Sequence, residues 1–201
     1  MQLEKIQNSL KANEIDGWLL YDFHHLDHLA YRILNLPRGL HTSRRWFYFI
    51  PNECLPQKIV SQVEDHILDS LIGEQNSYLT WQELHNLLKR VLSNVTNVAM
   101  NYSPMNDVPY ISLVDGGTIE LIQSFGVKVI SAQDLIQQFE GLVSQNMFQY
   151  HKKISPIMHK ITLDAFNYIG DKIQNTEKVT ELGVSNFIQN LYKKNNLITD
   201  G

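Results

Sequence analysis

The stretch that most constrains the fold runs from Asn97 to Phe139, NVAMNYSPMNDVPYISLVDGGTIELIQSFGVKVISAQDLIQQF. It reads as strand, long polar loop, turn, helix, strand, helix. Val98, Ala99 and Met100 form a short apolar run, and Asp115-Gly116-Gly117 is a turn signal ahead of Thr118, an N-cap residue by type. The helix that follows places Ile119, Ile122 and Phe125 on one face, and Gly126 stops it. VKVI is a β-branched run, and Ser131 with Asp134 three residues on resembles a capping box. Strands alternating with helices at this spacing predict an α/β domain with a mixed, partly parallel sheet flanked by helices.

The chain before that stretch supplies the other layers. Leu3, Ile6 and Leu10 predict an opening helix over 2–13, and Asp16-Gly17 turns it into the buried strand WLLY. Leu26, Leu29, Ala30, Ile33 and Leu34 share one helical face, in a helix ended by Pro37-Arg38-Gly39. WFYFIP reads as a strand whose partner is Lys58–Val63, across a loop holding Cys54 and Pro56. Residues 64–77 carry a weaker pattern, a helical turn around Ile67–Leu71. Thr80-Trp81-Gln82-Glu83 is a capping box for a helix burying Trp81, Leu84, Leu87, Leu88 and Val91.

After the central stretch the strand signals cease. Ile154, Ile157, Met158, Ile161, Ala165, Ile169 and Ile173 form a helical stripe, with Pro156 inside it predicting a kink or a break. Thr180-Glu181 caps a last helix carrying Val184, Phe187, Ile188 and Leu191. The division expected is a domain over 1–145 and a C-terminal helical arm over 146–201, the start of another domain.

At 201 residues, 43% hydrophobic and 19% charged, the composition is that of an ordinary globular chain. A formal charge of −4, with no basic cluster, argues against nucleic acid as partner. The longest apolar runs are strand-length, too short to span a membrane, and the first residues carry no signal-peptide core. The single cysteine, Cys54, excludes an internal disulfide framework and fits a reducing compartment, so the cytoplasm is expected.

Local motifs offer three chemistries. In His24-His25-Leu26-Asp27-His28, His24 and His28 share a face at i, i+4 if the segment is helical, a spacing used for zinc; no third ligand is identifiable. Cys54 sits in a Pro-flanked loop with no neighbouring cation to activate it and reads as a bystander thiol. Asp115-Gly116-Gly117-Thr118 could cradle an anion but lacks a phosphate-loop pattern, and a turn plus cap explains it. In Trp46-Phe47-Tyr48-Phe49 only alternate rings face one core, so the others must cover a helix on the opposite face or a partner chain.

PYISLVDGGTIELIQSFGVKVISAQDLIQQFE, with VAMNYSP before it and WFYFIP near the front, resembles the N-terminal domain of the creatinase/prolidase family, closest to Xaa-Pro aminopeptidases and dipeptidases. TEKVTELGVSNFIQNLYKKNNLITDG resembles the first helices of that family's catalytic domain. The resemblance covers nearly the whole chain. It implies a parent that hydrolyses the bond before proline in proline-containing peptides, with two divalent metal ions (Mn, Co or Zn) held by two aspartates, a histidine and two glutamates. All of these follow Gly201, so the resemblance implies no catalytic residue and no metal ligand in this chain; Asp200 belongs to a turn. It further implies a homodimer, and a loop entering the WFYFIP strand that reaches the neighbouring subunit's active site. His41, Arg44, Arg45 and Trp46 are the expected substrate-entrance residues on that ground, an arginine there binding a carboxylate bidentately. The competing classes are a free-standing binding or scaffold domain and a metal hydrolase built on His24 and His28.

Overall fold

The computed structural model describes residues 3–37 and 39–199, so Arg38, within the expected helix stop, and Asp200 and Gly201, within the expected terminal turn, lie outside the described residues. The chain divides into two compact units, 1–142 and 143–201.

The first unit is built on one mixed sheet. β1 (Gly17–Asp22), β2 (Trp46–Pro51), β3 (Gln57–Ser61), β4 (Glu74–Tyr78), β5 (Asn97–Met100) and β6 (Lys128–Ser131) lie in the order β4-β3-β2-β1-β5-β6. β1 runs parallel to β5, β5 to β6, and β3 to β4, while β2 is antiparallel to both of its neighbours. All strands but β2 therefore share one direction.

Helices cover both faces: α1 (Leu3–Ala12), α2 (His28–Leu34), α3 (Trp81–Val91), α4 (Gly116–Ser124) and α5 (Gln133–Phe139). Trp18, Leu20, Trp46, Tyr48 and Ile50 enter one core with α1, α2 and α5. Leu19, Tyr21, Phe47, Phe49 and Val129 enter the other with Leu84 and Leu88 of α3 and Ile122 of α4. The four consecutive aromatics of β2 are thus all buried, because each face of the strand has its own layer.

Several elements differ from their sequence signals. The segment before α2 is not helical: His24 and His25 take left-handed φ of 56° and 60°, and Asp27 caps the helix by accepting from Ala30 N–H. Leu26 is accordingly exposed. α2 ends at Asn35, a left-handed C-cap, before Pro37 is reached. The α4 cap is Asp115 and not Thr118; Thr118 N–H donates to it at 2.8 Å. The cap position of α5 is Ala132 and not Ser131, whose hydroxyl donates to Tyr102 O at 2.7 Å and accepts from Gln133 N–H at 3.3 Å. Thr80 and Glu83 do form a capping box, but Trp81, at the first turn, stays exposed. A 3₁₀ segment, Gln62–Leu68, and the strand β4 fill the weakly patterned region.

The second unit is a helical pair, α6 (Gln145–Gln174) and α7 (Glu181–Lys194). α6 runs unbroken through Pro156 for 30 residues. Tyr168 stacks on Phe187 at 4.4 Å between ring centres, and Ile161 and Ala165 are buried, whereas Phe166 and Ile173 are exposed. Thr180 caps α7, accepting from Gly183 N–H.

The close fit of β1 against β2 leaves no room at Gly17. A Cβ there would meet the Phe49 ring and lie 2.9 Å from Ile50 O. Gly116, at the first turn of α4, has nothing within 4 Å of the same atom. Gly17→Ala is therefore expected to destabilise the domain by about 2 kcal/mol, and Gly116→Ala to be neutral or stabilising by about 0.5 kcal/mol. Urea unfolding of the two variants measures both, and an equal effect would contradict the packing described.

Candidate functional site

Because β2 alone is reversed, its first residues lie at the same edge of the sheet as the C-terminal ends of β1, β3, β4, β5 and β6. That edge is where open α/β sheets present their binding groups. It gathers the segment 41–46, Asp22 to Asp27, Glu64, Asn101 and Asp115.

Two buried carboxylates anchor the rim. Asp22 accepts from the backbone N–H of Asp27 at 2.9 Å, that of His25 at 3.1 Å, the Tyr31 hydroxyl at 3.0 Å and the Thr42 hydroxyl at 3.3 Å. Asp27 accepts from Ala30 N–H at 2.9 Å and from Asn101 Nδ2 at 2.7 Å, while Asn101 Oδ1 accepts from Trp18 Nε1 at 3.1 Å. One network thus joins the ends of β1 and β5, the start of α2 and the loop before β2. Burial pushes the Asp27 carboxyl up to about 7, against the hydrogen bonds from Ala30 and Asn101 and with help from the Asp22 charge.

A third carboxylate holds the arginine segment. Glu64 accepts from Ser43 N–H at 2.9 Å, the Ser43 hydroxyl at 2.6 Å and Arg44 N–H at 3.0 Å. Burial acts to raise its pKa, but these bonds, with His41 nearby, outweigh it and hold the group below the usual range. Tyr78 Oη donates to Arg45 O at 2.6 Å, so the backbone on either side of the Arg44–Arg45 bond is held.

The four expected entrance residues have different fates. His41 and Arg44 are exposed, Arg45 is half-buried, and Trp46 is 1% exposed in the core, its Nε1 donating to Tyr31 Oη at 3.4 Å. Trp46 therefore offers no surface to an entrance in this chain. Neither arginine side chain makes an ion pair among the described residues.

Arg45 lines a cavity of about 500 Å³ with Tyr21, Phe23, His85, Asp115 and Leu121. Tyr21 Oη donates to Asp115 Oδ2 at 3.0 Å, and burial raises the phenol to about 12. At Asp115 burial pushes upward, but the bonds from Thr118 and Tyr21 win and keep it below the usual range. Burial, then the Arg45 charge, lowers His85.

No group of three or more His, Cys, Asp or Glu side chains that could hold a metal ion occurs among the described residues. His24 lies in a left-handed turn and not on α2, which removes the i, i+4 premise of a zinc pair with His28. Cys54 is exposed, at a positive φ of 68°. No described helix is long and apolar enough to cross a membrane. Sequence reasoning missed the Asp22–Asp27–Asn101 network and Glu64; the available signal was a polar residue closing each of the apolar strands WLLY and VAM.

No model of a known family matches the chain, and no curated protein does. Solved structures do. The prolidase from Pyrococcus horikoshii is similar over 96% of this chain and 48% of its own, at 16% identity and a TM-score of 0.51. A proline dipeptidase from Streptococcus pneumoniae is similar over 71% of this chain and 98% of its own, at 14% identity and a TM-score of 0.54. The creatinase/prolidase N-terminal domain of an X-Pro dipeptidase from Streptococcus pyogenes is similar over 68% and 97%, at 13% identity and a TM-score of 0.52. The fold of this chain is that of these N-terminal domains with a helical extension, and it spans about half the length of the full prolidase.

Titration of Asp27 gives the site a pH signature. Below about pH 4 the group is protonated folded or unfolded; between about 4 and 7 only the unfolded chain ionises it, so stability falls; above that the cost is constant. Asp27→Asn removes the titration and sets an amide against that of Asn101, a pH-independent cost. Relative to that variant, the native chain is expected to lose up to about 1.4 kcal/mol per pH unit across this window. Unfolding free energies measured from pH 4 to 8 check it; a difference between the two chains that does not change with pH would refute it.

Proposed function

We propose that this chain is the non-catalytic N-terminal portion of a metal-dependent Xaa-Pro peptidase of the cytoplasm, limiting substrate access and taking part in dimer contacts. One observation carries the reading: the creatinase/prolidase N-terminal domain of an X-Pro dipeptidase matches 68% of the chain, whereas a prolidase matches 96%, taking in the helical pair as well. The helices α6 and α7 then correspond to the start of a catalytic domain. Its two divalent metal ions would activate water for attack on the bond before proline, held by residues beyond this chain.

Within this reading the arginine segment is the chain's contribution to the substrate. Glu64 and Tyr78 fix the backbone of Ser43, Arg44 and Arg45, so the guanidinium groups project from a rigid base. An arginine so held can take a peptide carboxylate through two parallel hydrogen bonds. His41, exposed beside it, adds a donor, while Trp46 acts from the core by packing the strand.

The test uses the longer polypeptide in its metal-loaded form, assayed on short Xaa-Pro peptides. Hydrolysis before proline is expected, and the sequence after Gly201 is expected to supply two aspartates, a histidine and two glutamates. Absence of both would leave a binding or scaffold domain. Arg44→Ala and Arg45→Ala address the entrance: at least one is expected to raise KM about tenfold with kcat little changed, the pattern of a contact made equally in ground and transition states. If both leave KM unchanged, the arginines do not touch substrate.

A further inference from the structure

The cavity of about 500 Å³ beside Arg45 holds two opposite charges that do not meet. Arg45, half-buried, and Asp115, exposed at the N-cap of α4, both line it. No ion pair joins them among the described residues. Tyr21 feels both: behind the larger effects of burial and of the Thr118 bond, the Asp115 charge raises its phenol and the Arg45 charge lowers it. Opposite charges around one ring would ordinarily close on each other, and here their backbones hold them apart. Arg45 is tied by its carbonyl, which accepts from Tyr78 Oη at 2.6 Å, and Asp115 by its cap on Thr118 N–H at 2.8 Å.

Each charge retains a demand that the protein does not meet. The donors to the Asp115 side chain from other residues are neutral: Thr118 N–H, the Thr118 hydroxyl at 2.8 Å and the Tyr21 hydroxyl at 3.0 Å. They keep the carboxylate ionised against burial and bring no positive charge to it. The Arg45 guanidinium, a planar fork of N–H donors, has no carboxylate partner among the described residues. A bare anion drawn to Arg45 would meet the charge of Asp115, and a bare cation would meet that of Arg45. A ligand carrying both a carboxylate and an ammonium satisfies the two together. Phe23, 39% exposed, and the half-buried Leu121 add apolar surface to the lining. The volume lies within the range of small-molecule sites, about 300–1,000 Å³.

We propose that this cavity binds a free α-amino acid with an apolar side chain, its carboxylate on the Arg45 guanidinium, its ammonium on the Asp115 carboxylate and its side chain against Phe23 and Leu121. The adjacent arginines then have separate tasks. Arg44, exposed and held through its N–H by Glu64, is the one left for a peptide at the rim. Binding of this kind needs no catalytic domain and is read without hydrolysis, so its failure leaves the peptidase reading untouched.

Calorimetric titration of the chain with L-leucine, N-acetyl-L-leucine and L-leucinamide separates the contributions of the two charges. Leucine is expected to bind saturably, and the analogues, each lacking one charge, about tenfold more weakly. Asp115→Asn keeps a capping side chain and is expected to weaken leucine about tenfold while leaving N-acetyl-leucine, which has no ammonium, unchanged. Arg45→Gln is expected to weaken leucine as much and to leave leucinamide unchanged. A merely structural defect would weaken all three ligands alike, and circular dichroism checks that each variant folds. Lys128→Ala, which removes an exposed charge at the start of β6, is expected to have no effect. No saturable response to leucine, analogues that bind as tightly as leucine, or a loss on Arg44→Ala without one on Arg45→Gln would each overturn the proposal.

Discussion

Everything in the first unit depends on one strand being buried on both sides. All residues of β1 are buried, and its side chains divide between two apolar layers. With β2 packed against it in the same way, the middle of the sheet contributes nearly all of its apolar surface to the interior. Burial at roughly 25 cal/mol per Å² of apolar area makes this pair the main source of stability. Its cost falls at the strand ends, where buried backbone needs partners and the flanking loops must be tied down.

The polar rim meets that cost. Asp22 closes β1 and Asp27 follows it; neither makes an ion pair among the described residues, and both are held by hydroxyl, amide and backbone donors. Buried carboxylates without a counter-ion survive only when their oxygens are well supplied with donors. The arrangement ties the rim down, and in the same way Arg44 gains its fixed base from Glu64 and Arg45 from the Tyr78 hydroxyl. Stability of the sheet and positioning of the candidate site are thus one structural fact.

The layers of the fold were legible because apolar spacing reports burial directly. WLLY, WFYFIP, VAM and VKVI became strands, and the stripes of α1, α3, α4 and α7 became helices. β4 escaped notice because its polar residues show no alternation; the strand exists through its ladder with β3, a tertiary interaction that composition does not carry. The His24–His25 turn was misread as helix because Leu26 happened to fall on the apolar face, and the left-handed backbone of both histidines breaks that face. The site was only partly visible: adjacent arginines can be seen in a sequence, but the carboxylate that grips their backbone lies about 20 residues away and is identified by geometry alone.

The two-sided burial of β2 removes the usual safeguard on strand alignment. Where one face meets water, a one-residue slip exposes the apolar side chains and is rejected. In Trp46-Phe47-Tyr48-Phe49-Ile50 a slip would exchange one large apolar residue for another on either face, so hydrophobicity barely distinguishes the alternatives. Alignment is instead encoded by keys that fit one lock each. Phe49 lies where only the missing Cβ of Gly17 leaves space, Tyr48 Oη reaches Ile72 O at 2.6 Å, and Glu64 grips Ser43 and Arg44 just upstream. The glycine, the phenol and the carboxylate select a single pairing among several of similar apolar content, and the strand owes its identity to these few residues more than to its aromatic mass.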